Sequence, residues 1–269
     1  MKCAWNELLS ILPQEMKPHV DRLGRQDLQE LRLRCGAPPE LVVGGKSLWL
    51  TDAVTLQQLE HVVNLASRYS PWASNTTSFG YLTAPGGHRI GLCGMATEKG
   101  FRQLTSLNIR VARDFPGIAM GLPKEGNLLI IGPPGCGKTT LLRDFARFLA
   151  ENLTVSVVDE RGELFPQGFS QGKRMDVLTG RKKPDGIEMV LRTMAPQVIV
   201  ADEITSTFDC DALLSTAWCG VQVVATAHAS SRQDLMGRGL YRPILQLGIF
   251  DLLVIMQRDK SWRLERMVL

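Results

Sequence analysis

Two rhythms of apolar and polar positions divide the chain. In the first third, "LRLRC" (31–35) alternates with period two and predicts a strand with one buried face. "LVVGGKSLWL" (41–50) predicts a hairpin turning at Gly44-Gly45, and "YLTAPGGHRIGLCG" (81–94) a second around Pro85-Gly86-Gly87. "TLQQLEHVVNLAS" (55–67) has helical spacing, the one helix this region predicts. "TSLNIRVARDFPG" (105–117) adds a last strand and then a Pro-Gly break. The expectation is a small α+β N-terminal domain over 1–104 and a linker strand with its break over 105–122.

From Leu128 onward, apolar runs alternate with loops and amphipathic helices: "NLLII", a helix from Thr139 to Asn152, "TVSVVDE", "GIEMVLRTM", "QVIVADE", "CDALLSTAWC", "VQVVATAH" and "FDLLVIMQ". Strands that are apolar throughout are buried on both faces of a mostly parallel sheet flanked by helices. Residues 123–269 therefore form an α/β domain.

Composition narrows the classes of function. There are 31 Lys and Arg against 27 Asp and Glu, a formal charge of +4. The basic residues form no long block, so nothing argues for nucleic acid. Six cysteines show no C-x-x-C pair and no zinc spacing, which fits reduced thiols in a cytosol. No apolar run approaches the roughly eighteen residues that span a bilayer, so membrane association is expected to come through a partner.

The chemistry begins with "LLIIGPPGCGKTTLLRDFARFLA" (128–150). Gly132, Gly137, Lys138 and Thr139 satisfy G-x-x-x-x-G-K-[ST] between an apolar strand and a helix with Leu141, Leu142, Phe145, Phe148 and Leu149 on one face. Backbone N–H groups and the helix dipole converge on phosphate in such a loop. Lys138 is expected at the β- and γ-phosphates of ATP and Thr139 at Mg²⁺, in a P-loop NTPase core.

"VIVADE" ends a later strand, expected beside the phosphate-loop strand, with Asp202 and Glu203. One carboxylate there can hold a magnesium-bound water and the next can polarise the attacking water, so Asp202 is the metal candidate and Glu203 the base. "VVDERGEL" brings Asp159, Glu160 and Glu163 to the same edge, Asp159 as a further metal candidate. "VQVVATAHAS" delivers His228, able to donate to a phosphate oxygen and report its loss.

This order of motifs resembles the secretion ATPases of the type II and type IV systems, and most nearly their branch in endospore-forming bacteria. "LRLRCGAPPEL", "GGHRIGLCG", "SLNIRVARD", "GPPGCGKTTLLRD", "VVDERGEL", "RMDVLTG", "LRTMAPQVIVADEI" and "ATAHASS" carry the likeness over nearly the whole chain. It implies a RecA-like core that hydrolyses ATP with Mg²⁺. Gly132, Pro133, Pro134, Gly135, Cys136, Gly137, Lys138, Thr139 and Thr140 would lie on the phosphates. Asp159, Glu160 and Glu163 would form the acidic box, Glu163 being a second candidate to position the water, and His228 the histidine box. The resemblance also implies a homo-hexamer, in which arginines of the N-terminal domain or linker reach a nucleotide. Arg89, Arg110 and Arg113 lie in matching segments, and Arg192 precedes the Mg²⁺ strand. The implied partners are integral membrane proteins of a channel between mother cell and forespore, with the motor on the mother-cell side. One departure is Thr205-Ser206-Thr207-Phe208 after "ADEI", where the family has Gly followed by polar and acidic residues.

Physics alone singles out Arg110, which an alternating strand holds at a fixed height. A well-aimed arginine contributes roughly a thousandfold or more to phosphoryl transfer. The leading expectation is a mechanochemical ATPase. A nucleic-acid-dependent ATPase would need basic residues interleaved with aromatics, and "GRKKPDG" has none beside it. A nucleotide-gated scaffold with little turnover would keep the binding residues and make Glu203 dispensable.

Overall fold

The structure, a computed structural model, describes residues 3–25, 27–67, 80–97, 100–166 and 168–267. The chain divides into two compact units, one of residues 1–114 with 166–169, the other of 115–165 with 170–269.

The first unit is a six-stranded antiparallel sheet in the order β3-β2-β1-β6-β5-β4. Its strands are β1 (Leu28–Arg34), β2 (Glu40–Val43), β3 (Lys46–Trp49), β4 (Tyr81–Thr83), β5 (Arg89–Thr97) and β6 (Gly100–Arg110). Alternation puts Leu31, Leu33, Ile90, Leu107 and Ile109 on one face. There they pack with Leu8, Ile11, Val20, Leu59 and Val62 from helices α1 (Trp5–Ser10), α2 (Lys17–Gly24) and α3 (Leu56–Ala66) and the residues beside them. Both hairpins and the helix at 56–66 form where the pattern predicts them. Helix α3 starts on a capping box, the Thr55 hydroxyl accepting from Gln58 N–H while the Gln58 side chain accepts from Thr55 N–H.

Two expectations change. Among the described residues there are three α-helices here rather than one, because α1 and α2 are too short for a full amphipathic repeat to show in sequence. Residues 105–110 are not linker: they complete β6, which pairs with β1 on one side and β5 on the other. An alternating strand reads the same at a domain edge and at a sheet centre, and only the pairing distinguishes them.

The second unit is a seven-stranded sheet in the order β13-β12-β7-β11-β10-β8-β9, parallel except for β13. In chain order the elements are β7 (Leu128–Ile131), α4 (Lys138–Leu149), β8 (Val155–Asp159), β9 (Met175–Thr179), α5 (Lys183–Thr193), β10 (Val198–Ala201) and α6 (Thr207–Trp218). Then follow β11 (Gln222–Ala227), α7 (Arg232–Gly237), α8 (Arg242–Gln246), β12 (Leu252–Met256) and β13 (Trp262–Arg266).

Successive residues of each strand serve opposite faces. Leu128, Ile130, Val198 and Val200 pack with Leu141, Phe145 and Leu149 of α4. Leu129, Ile131, Ile199 and Ala201 pack with Ile187 and Val190 of α5 and Leu213 and Leu214 of α6. That double burial is why these strands carry no polar alternation. The fold is α/β, a mostly parallel sheet flanked by helices, preceded by an α+β unit.

Strand order corrects the reading of the acidic pair. β10 does not adjoin β7, since β11 pairs with both and lies between them. β9 was not foreseen as a strand because it is a half-exposed edge with only Met175 fully buried.

Candidate active site

The carboxyl ends of β7, β8, β10 and β11 present the site. Between β7 and α4 the loop 132–137 turns tightly. A side chain at Gly132 would place its Cβ 2.6 Å from Cys136 Sγ and 3.0 Å from Met256 O, and Gly137 adopts φ +101° immediately before α4. Only glycine fits either position at low cost. Lys138 folds back over the loop, its Nζ donating to Gly132 O (2.9 Å) and Pro133 O (3.2 Å) and lying 3.1 Å from His228 Nδ1. Burial pulls the Lys138 ammonium below the ordinary lysine range, and the acidic groups of Cys136, Asp202 and Glu203 oppose it.

Across the site, Thr139 Oγ1 donates to Asp202 Oδ2 at 2.8 Å. The Thr226 hydroxyl donates to Asp202 Oδ1 and accepts from Glu203 N–H at 2.7 Å. Glu203 has φ +46°, the left-handed region that costs a non-glycine residue about 1–3 kcal/mol. Thr226 holds it there by that N–H. Glu203 Oε1 meets His228 Nε2 at 3.0 Å, and its other oxygen lies 3.8 Å from Arg161. An ammonium can only donate, so His228 accepts at Nδ1 and donates Nε2–H to Glu203. One imidazole on the central strand thus joins the phosphate-loop lysine to the candidate base.

The acidic loop after β8 is arranged differently from its sequence reading. Asp159 is buried, and its two oxygens accept from Glu163 N–H (2.9 Å), Leu164 N–H (2.8 Å) and Phe165 N–H (3.2 Å). Burial raises its pKa and those backbone donors lower it. Asp159 therefore shapes its own loop while also lining the cavity that Asp202 and Glu203 share. Arg143 of α4 donates to the carbonyls of Glu163 (2.8 Å) and Leu164. Asp159, Glu160, Arg161 and Glu163 line a small polar cavity of about 50 Å³ with Asp202, Glu203, Lys183 and Thr205, large enough for ordered water.

Among the described residues no group of three or more His, Cys, Asp or Glu side chains is placed to hold a metal ion. Thr139 and Asp202 do fit the sparse protein ligation of Mg²⁺, which keeps waters and takes phosphate oxygens.

The arginines separate into two groups. Arg89, Arg110 and Arg113 belong to the first unit. Arg89 and Arg110 are direct cross-strand partners, and the Arg89 guanidinium lies 4.2 Å from the Tyr81 ring centre. Arg113 donates to Leu28 O of its own sheet at 3.1 Å, whereas Arg110 is exposed. Arg192, in the last turn of α5, pairs with Glu188 and is 76% exposed. It precedes the start of β10 whereas Asp202 follows its end, so it stands apart from this cluster. Residues 205–208 are the turn into α6, capped by Ser206 and Asp209, with Phe208 72% exposed. Sequence reading passed over Thr226, Arg143, Lys183 and Asp209. A threonine inside the apolar run "VQVVATAH" is the signal that was available for the first.

A family model for sporulation stage III, protein AA, matches residues 6–264. The chain belongs to this family. The stage III sporulation protein AA of Bacillus subtilis (strain 168) is 37% identical over 282 residues, covering 95% of this chain and 92% of that one. Among solved structures, the Legionella pneumophila ATPase DotB superposes with TM-score 0.62 at 20% identity, over 93% of this chain and 78% of its own. The pilus retraction motor PilT with bound ADP gives TM-score 0.67 at 16% identity, over 90% and 77%. These two share the fold, a P-loop secretion-ATPase architecture, and the resemblance to the sporulation branch read from the motifs is borne out. In this stage III AA family member no helix of the described residues is long and apolar enough to cross a membrane.

Proposed function

We propose that the chain is a Mg²⁺-dependent ATPase, the motor of a secretion-type apparatus serving the channel between mother cell and forespore. The observation that carries this is the Lys138–His228–Glu203 chain beside the Thr139–Asp202 pair, which supplies phosphate binding, metal ligation and a base on three adjacent strand ends.

On nucleotide binding, Lys138 exchanges its carbonyl contacts for phosphate oxygens, together with the N–H groups of loop 132–140. Thr139 and Asp202 would hold Mg²⁺, which when bound neutralises charge on the phosphates. Glu203 orients a water in the adjoining cavity and accepts its proton, with Glu160 and Glu163 on the cavity wall. His228, released from Lys138, turns Nδ1 free and couples the state of the phosphate to Glu203.

The motor acts as a homo-hexamer in which Arg110 or Arg113, supported by Arg89, completes the site of a neighbouring subunit. Arg110 is the better candidate, because Arg113 is engaged by its own sheet. The partners are integral membrane proteins of the channel, and the chain sits at the membrane on the mother-cell side through them. The test is ATP turnover per subunit over a wide range of protein concentration, with light scattering on the same samples. Specific activity rising as a six-fold species appears supports the motor. A flat rate from a monomer rules out the shared site.

A further inference from the structure

A lysine that no motif includes lies at the wall of the same cavity. Lys183, the first residue of α5, has a side chain only 7% exposed, and its Nζ stands 3.5 Å from Glu160 Oε2 and 3.8 Å from Asp209 Oδ2. Its backbone N–H also points to Glu160 Oε2, at 3.3 Å. The two carboxylates belong to different segments: Glu160 to the acidic loop after β8, Asp209 to the first turn of α6.

Asp209 builds the turn that follows Glu203. Its Oδ2 accepts from Thr205 N–H (2.8 Å), Ser206 N–H (3.1 Å) and the Thr205 hydroxyl (3.1 Å). That oxygen already has three donors, so Lys183 contributes charge to it more than geometry. A buried carboxylate and a buried ammonium are each heavily penalised by lost hydration unless they face one another. Arg161, the other cation of the cavity wall, is 59% exposed and correspondingly screened. Lys183 is the buried cation shared by Glu160 and Asp209, whereas Lys138, also buried, acts on Asp202 and Glu203.

We propose that Lys183 is a positioning residue for hydrolysis, holding the acidic loop and the 203–209 turn at a fixed spacing around Glu203. Its side-chain partners are the two carboxylates, through which it acts. This rests on the ATPase reading above, and two measurements keep the two ideas apart.

In the full-length chain, Lys183→Met should lower kcat about tenfold or more, with Kd for a fluorescent ATP analogue within about threefold of the parent. Lys183→Arg should restore kcat to within about threefold. Hydrogen exchange in peptides spanning 159–165 and 203–209 should accelerate about tenfold in the Met variant, with that of β7 unchanged. Should Lys183→Met not fold, Glu160→Gln loosens one tie at a half-exposed position and should lower kcat about threefold. Unchanged kcat, a loss of nucleotide affinity equal to the loss of kcat, or unchanged exchange in both loops would overturn the proposal. An inactive parent chain would sink the ATPase reading, and the exchange measurement would still decide whether Lys183 couples the two loops.

Discussion

His228 Nδ1 lies 3.1 Å from Lys138 Nζ, on the side of the ring away from Glu203. The lysine proposed to bind phosphate is thus held by the residue that also holds the candidate base. Replacing His228 by Ala frees both. Turnover should fall about 10- to 100-fold with nucleotide affinity equal or slightly higher, as measured by steady-state kinetics and equilibrium binding. A variant with full turnover would show that the imidazole is only a spacer.

Thr226 bridges Asp202 and Glu203 from the carboxyl end of β11. Thr226→Val keeps the shape and removes the hydroxyl, leaving Glu203 N–H without its acceptor. A loss of about 1–3 kcal/mol in urea unfolding is expected, with a weaker response of turnover to added Mg²⁺. Unchanged stability together with an unchanged Mg²⁺ response would remove Thr226 from the site.

The positive φ of Glu203 makes a separate prediction. Glu203→Gln keeps the strained backbone and should lose turnover about 100-fold or more while still binding ATP. Glu203→Gly also loses turnover but relieves the strain, so it should be more stable than the Gln variant by up to about 1 kcal/mol. Paired urea titrations decide, and a Gly variant less stable than the Gln variant contradicts the strain argument.

In the first unit, His88 is fully buried, its ring between Ala112 N–H (3.1 Å to Nδ1) and Ala4 O (2.9 Å from Nε2). Burial lowers its pKa, against a smaller opposing effect of the Ala4 carbonyl. The unfolded chain therefore binds the proton more readily. Stability from this group is complete above the ordinary histidine value and is lost as pH falls toward the lower folded one. Denaturation should show stability declining as pH falls below the ordinary histidine value, with a slope of at most about 1.4 kcal/mol per pH unit from this proton, absent in His88→Gln.

The sequence exposed those features whose physics is local. The phosphate loop is a run of adjacent residues, and the strands around it are apolar because both faces are covered. Asp202, Glu203 and His228 were legible because each closes such a strand. Strand order was not, since nothing in "VIVADE" or "VQVVATAH" says which lies beside β7. That Asp159 accepts from its own loop was not legible for a related reason: a carboxylate at a strand end looks alike whether or not the following backbone folds onto it. Lys183 stood out only as part of the basic stretch "GRKKPDG" and Asp209 not at all, because their pairing exists only once α5 and α6 are packed together.

Arg143 gives the second unit a mechanical property. It projects from the helix that begins at the phosphate loop, yet its guanidinium grips the carbonyls of Glu163 and Leu164, beyond a strand three places across the sheet. Any displacement of α4 would therefore pull on the carbonyls of Glu163 and Leu164. One side chain is enough to make the start of the helix and the far side of the sheet mechanically contiguous.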